Sequence, residues 1–207
     1  MPSVRELSAC ASRHLARYVD PEGGRAFATY DRIGNPGDLE PADVLAPALL
    51  DAPVPGRDVI KMYQPTGVHS ELREALEAVL RDAGAASARF EDQDLDSDRG
   101  AWALVRAALS ASDKASGFRA AKVTKILHRK RPYLVPIFDS KVAQLYGVSA
   151  RRPWELWPLL QHELVAHGTW LGEMGQTHRT SDGRPIAELR VLDIIVWEHM
   201  QGCDKSA

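Results

Sequence analysis

Apolar residues recur along most of the chain at three- and four-residue spacing, the period of amphipathic helices. The clearest run begins at Ser70, where Leu72, Ala75, Leu76, Val79 and Leu80 form one face that Gly84 closes. Val4 to Val19 places Leu7, Ala11, Leu15 and Tyr18 on one side. Glu40-Pro41 reads as an N-cap followed by proline at the first helical position, opening a helix to Leu50 that Pro47 shortens or kinks. Asp98 can cap a helix to about Leu109, with Trp102 and Val105 inward. A helix starting at Pro153 is expected to break near Gly168, and Ile186 to Met200 is apolar on most sides, as a buried helix would be. Ala26 to Gly34 is ambiguous, and Asp58 to Tyr63 is open between strand and helix. With roughly six to nine helices, little strand signal, no internal repeat and no Gly/Ser-rich linker, the pattern predicts a mostly α, multi-helix protein, one globular domain over 1–207.

Between Gly117 and Leu145 two predicted helices flank a link bounded by Pro132 and Pro136, which forbid a continuous helix. In the first, Ala120 to Arg129, Val123, Ile126 and Leu127 mark the buried stripe. Lys122, Lys125 and Arg129 share a second stripe, expected to face solvent. Asp139 is placed to cap the second helix, which begins at Ser140.

Composition bounds the chemistry. A net charge of −2 means that nucleic-acid binding, if present, must come from a local patch. Lys122, Lys125, His128, Arg129, Lys130 and Arg131 form the densest cationic run, which reads either as a solvated helix face or as a phosphate-binding surface extended by Lys141 and Arg151-Arg152. Two cysteines, Cys10 and Cys203, exclude a disulfide framework or a multi-cysteine metal site; a single bridge between the termini can form, and two reduced thiols are the expectation. No signal-peptide core and no membrane-length apolar run occurs, so the expectation is a cytoplasmic protein with no membrane partner.

The stretch Gly117 to Leu145 resembles the core of the helix-hairpin-helix DNA glycosylases, the superfamily that includes endonuclease III. Gly117-Phe118-Arg119 lies where the family's glycine hairpin would be, Ala121 to Leu127 where its following helix would be, and Asp139-Ser140-Lys141-Val142 where its catalytic-aspartate motif would be. About thirty residues carry the match, without a gap from Gly117 to Asp139. The resemblance implies an all-α fold with two helical lobes around a cleft, built on 117–146 as its core. It implies duplex DNA with an extruded base as partner, and hydrolysis of a base–sugar bond. Asp139 would be the catalytic carboxylate, stabilising positive charge that develops on the sugar and orienting a water. Lys122, Lys125, His128, Arg129 and Lys141 would contact DNA. Ala121 stands where bifunctional members carry the Schiff-base lysine, so the implied enzyme is monofunctional and water-using, and the two cysteines and the His162–His167 spacing make it one expected to need no metal or other cofactor. Arg119 replaces the hairpin's second glycine, which favours the rival reading of a non-catalytic nucleic-acid-binding or interaction protein on the same scaffold. The chain is also identified with a bacterial family of unknown function that shares the lysine-rich helix and a Pro-Ile-x-Asp-Ser motif.

Other candidates read as structural. His162 and His167 are five residues apart and diverge by about 140° on a helix, so they fail the zinc-protease spacing. The acidic loop Asp92, Asp94, Asp96, Asp98 lacks the glycine and glutamate of a calcium loop. Trp154, Trp157 and Trp170 read as core, with base stacking as the minority reading. Arg190 and Asp193 are spaced for a bridge within the last helix.

Overall fold

Eleven α-helices account for most of the described residues, which are 3–20, 22, 27–32, 38–180 and 183–202 of a computed structural model. In chain order they are α1 (Ser8–Val19), α2 (Phe27–Arg32), α3 (Pro41–Leu45), α4 (Gly56–Met62), α5 (Val68–Arg81), α6 (Ala83–Ser87), α7 (Ala101–Lys114), α8 (Ala120–Lys130), α9 (Ser140–Leu145), α10 (Trp157–Thr177) and α11 (Glu188–Met200). Among the described residues there is no strand, only an isolated bridge between Arg179 and Pro185. The mostly α expectation holds. No helix among them is long and apolar enough to cross a membrane.

The helices gather into two compact units: Met1–Arg32 with Pro136–Ala207, and Ile33–Val135. The stretch that the sequence singles out is therefore shared between them, dividing inside its proline-bounded link. In the first unit α11 packs against α1, α9 and α10. Its burial on nearly all sides follows from the apolar residues Val191, Leu192, Ile194, Ile195 and Val196, which flank the bridged Asp193. In the second unit α5 packs on α7, and α8 lies against α3, α5, α7 and the 3-10 turn Ala46–Leu50. Leu72, Leu76, Val79, Phe90, Trp102, Val105, Ile126 and Leu127 are its core.

Several local expectations change. The segment Asp58 to Tyr63 is helical to Met62, within α4, and Tyr63 is its C-cap. The helix expected from Ser70 starts at Val68 and ends at Arg81, before Gly84. Asp82 stops it there by capping α6, accepting the Ala85 N–H at 2.7 Å. Gly100 rather than Asp98 opens α7, and Asp98 pairs instead with Arg106 at 2.7 Å. α10 runs unbroken through Gly168, because Leu160, Leu164, Leu171 and Gly175 keep one continuous buried face on both sides of it. A helical glycine costs only about 1 kcal/mol, which packing overrides. Cys10 is disulfide-bonded rather than the expected reduced thiol. Cys203 lies outside the described residues, as does part of the ambiguous Ala26–Gly34 segment.

Candidate nucleic-acid interface

In the second unit α7 and α8 are joined by the five-residue turn Ala115 to Arg119. Gly117 sits at its tip with φ +86°, a left-handed conformation that favours glycine. A side chain there would also collide with a neighbour, since an added Cβ would lie 2.5 Å from Asp58 Oδ2. Asp58, on α4, is buried beneath the turn, and Lys61 bonds it at 2.9 Å and holds its carboxyl below the usual range.

The turn's carbonyls are all engaged. His69 Nε2 donates to Ser116 O at 2.9 Å, Lys122 Nζ to Gly117 O at 2.6 Å, and Arg119 Nη1 to Phe118 O at 3.0 Å. The amides differ. Those of Gly117, Ala120 and Ala121 meet no protein acceptor among the described residues, and no side chain caps α8. Ser116, Gly117 and Arg119 are exposed. Uncapped amides at a helix start beside cations suit an anion.

The rest of the cationic run is not the solvent-facing stripe expected. Lys125 is buried, and its ammonium donates to Leu50 O at 2.8 Å. His128 is buried, and Nδ1 donates to Val135 O at 2.7 Å. Arg129 and Lys130, with side chains 1% and 2% exposed, converge on the buried carboxylate of Asp43 at 2.6 and 2.8 Å. Arg131 reaches Leu80 O near the end of α5. The reason is enclosure. α8 has neighbours on most sides, and those neighbours end in carbonyls that need donors. Lys122 is half-buried, its ammonium stays at the turn, and burial lowers its pKa against the pull of Asp58.

Asp139 and Lys141 belong to the first unit. Asp139 caps α9 as expected: its Oδ1 accepts the Lys141 N–H at 2.9 Å, and the residue is half-buried. Lys141 is also half-buried. The tryptophans separate. Trp157 is core, edge-on to Phe138 at 6.0 Å. Trp170 lies under Arg5, and Trp154 is 60% exposed. Among the described residues no cluster of His, Cys, Asp and Glu could hold a metal ion.

Two constellations escaped the sequence reading. Arg190 does bridge Asp193, but it also meets Asp31 and donates to Tyr18 at 2.7 Å. Burial opposes its charge, yet Asp31, Tyr18 and Asp193 hold the guanidinium well above its ordinary range. Glu163, buried on α10, accepts from Val4 N–H at 3.2 Å and from Ser3 Oγ at 3.1 Å, and His167 Nε2 lies 2.9 Å from the same hydroxyl. Beyond the local Arg190–Asp193 and Glu163–His167 pairs, the partners Tyr18, Asp31, Ser3 and Val4 lie more than 150 residues away, so no local spacing signals those contacts.

No curated protein and no solved structure matches this chain. One family model does, over residues 11–200, nearly the whole length, and its family is described as one of unknown function. The chain belongs to that family, DUF6308.

Proposed function

We propose that the hairpin between α7 and α8 binds the sugar–phosphate backbone of duplex DNA without reading its sequence. One observation carries the reading. Side-chain donors take the carbonyls of Ser116, Gly117 and Phe118, while the amides at the start of α8 keep no protein acceptor among the described residues. That turn offers amide hydrogens to an anion, and Arg119 and Lys122 add positive charge beside them. His69 on α5 bonds the turn, and Asp58 on α4 packs so closely beneath Gly117 that no larger residue fits there.

The double variant Arg119→Glu with Lys122→Glu tests it. Fluorescence anisotropy should show weaker binding on every duplex sequence, with the salt dependence shallower by roughly one unit of slope per lost contact. Unchanged affinity and slope would reduce the turn to a surface loop.

A second reading adds catalysis: hydrolysis of a base–sugar bond by water, with Asp139 as the stabilising carboxylate. Its support is that Asp139 keeps part of its surface open to solvent while its Oδ1 is fixed by the Lys141 amide. Asparagine caps as well as aspartate, so Asp139→Asn preserves the helix start and removes the charge. Base release from lesion-bearing duplexes should fall by orders of magnitude while DNA binding survives. Wild-type protein that releases no base from any lesion panel leaves the binding reading alone.

A further inference from the structure

Asp58, the buried carboxylate beneath the hairpin, has two neighbourhoods. Its Oδ2 lies against Gly117, and its Oδ1 is turned to two cations of α4, all inside the second unit. Lys61 Nζ bonds Oδ1 at 2.9 Å, and Arg57 Nε stands 4.0 Å from the same oxygen. Arg57 and Lys61 are four residues apart, so they share one face of the helix. Their side chains are 82% and 42% exposed. The bond to Asp58 takes one of the ammonium hydrogens of Lys61 and leaves the others to solvent. The Arg57 guanidinium donates to no acceptor among the described residues.

Among the described residues Asp58 is also the only carboxylate within ion-pair distance of Arg57, Lys61, Arg119 or Lys122. Four cations around one carboxylate leave a local positive excess on a chain whose net charge is −2. The carboxylate also divides that excess. Arg119 and Lys122 are tied to the turn, whereas Arg57 and Lys61 lie across Asp58 from Gly117. An anion on the turn amides is held from α4 by the negative charge between them. The α4 pair is therefore left for a different anion, and neighbouring phosphates of one DNA strand supply two at a fixed spacing.

We infer that Arg57 and Lys61 bind a second phosphate of the strand that the turn holds, so that the backbone site spans α4 as well as the α7–α8 hairpin. The inference rests on the reading of the turn as a DNA-backbone site. Fluorescence anisotropy on two duplexes of unrelated sequence, across a salt series, tests it with the full chain. Arg57→Gln and Lys61→Gln should each weaken binding several-fold, alike on both duplexes, with the salt slope shallower by about 0.9 per lost contact. Arg57 is the more exposed, so its variant should melt as the wild type does. The slope losses of the α4 pair and of Arg119→Gln with Lys122→Gln should add in the fourfold variant. If the turn pair matters and Arg57→Gln changes neither affinity nor slope, the inference is overturned while the reading of the turn stands. If neither pair changes binding, both fall. A fourfold variant no shallower than either pair alone means one shared phosphate and overturns the second position.

Discussion

At the N-terminal end of α8, Arg119 is exposed and Lys122 half-buried, each donating to a carbonyl of the turn it adjoins. Along the rest of the same helix Lys125, Arg129 and Lys130 are withdrawn from water and bonded to groups far away in sequence. The residue types are alike and the helical periodicity is continuous through both. What separates them is the neighbourhood. The C-terminal part of α8 lies against segments that end in unsatisfied carbonyls and against the buried Asp43, so its cations complete other elements. At the N-terminal end the side chains of Arg119 and Lys122 bond only carbonyls of their own turn. A cation on a helix is therefore defined by the acceptors packed around it, not by its place on the helical wheel.

Breaking the buried end should cost most. Asp43→Ala removes the carboxylate that Arg129 and Lys130 share, and losing one partner of a buried ion set costs about 3–5 kcal/mol. Urea denaturation should register a loss of that order. A loss below about 1 kcal/mol would mean that the cluster is solvated and the contrast between the two ends false.

Lys125→Met comes next. It keeps the aliphatic stem but leaves the Leu50 carbonyl without its donor, which costs about 1–3 kcal/mol. DNA affinity, measured where the variant is fully folded, should not change. A fall in affinity equal to that of the Arg119/Lys122 variant would return Lys125 to the binding surface.

The smallest effect belongs to the turn. Asp58 has its carboxyl lowered by the Lys61 hydrogen bond, so its contribution to stability is present above the unfolded value of 3.8 and is lost as pH falls through the lower folded value. Asp58→Asn should flatten the acid limb of the stability curve below about pH 4 and leave stability at pH 7 to 8 without pH dependence from this group. An acid limb as steep as the wild type's would show that the Lys61 bond does not lower the Asp58 carboxyl.

These contrasts also mark what the sequence could disclose. The α5 stripe, the Asp139 cap, the Glu40-Pro41 start and the Arg190–Asp193 bridge all rest on contacts within about one helical turn, and each appears in the structure. The Asp43 cluster does not rest on such contacts. Asp43 shows locally only as a helix-start residue, accepting the Glu40 N–H at 2.9 Å, and nothing near it announces Arg129. Periodicity sorts apolar from polar faces, but it cannot sort a polar face that meets water from one that meets carbonyls. That limit misplaced the solvent stripe of α8. The hairpin turn was legible through Gly117, whereas Asp58 and His69, which shape it, come from helices closed only by tertiary packing.

The division of the chain into a continuous unit inside a discontinuous one has a consequence for how the molecule is made. The second unit, Ile33–Val135, leaves the ribosome in one piece, and its helices mostly pair with near neighbours in sequence. It can fold while synthesis continues. α1 is made more than 160 residues before α11, on which it packs, so its apolar face of Ala11, Leu15 and Tyr18 must wait for α11. Closing so long a loop is slow. Translation pauses before Glu188 should thus be where the nascent chain exposes a sticky helix and has most need of a chaperone.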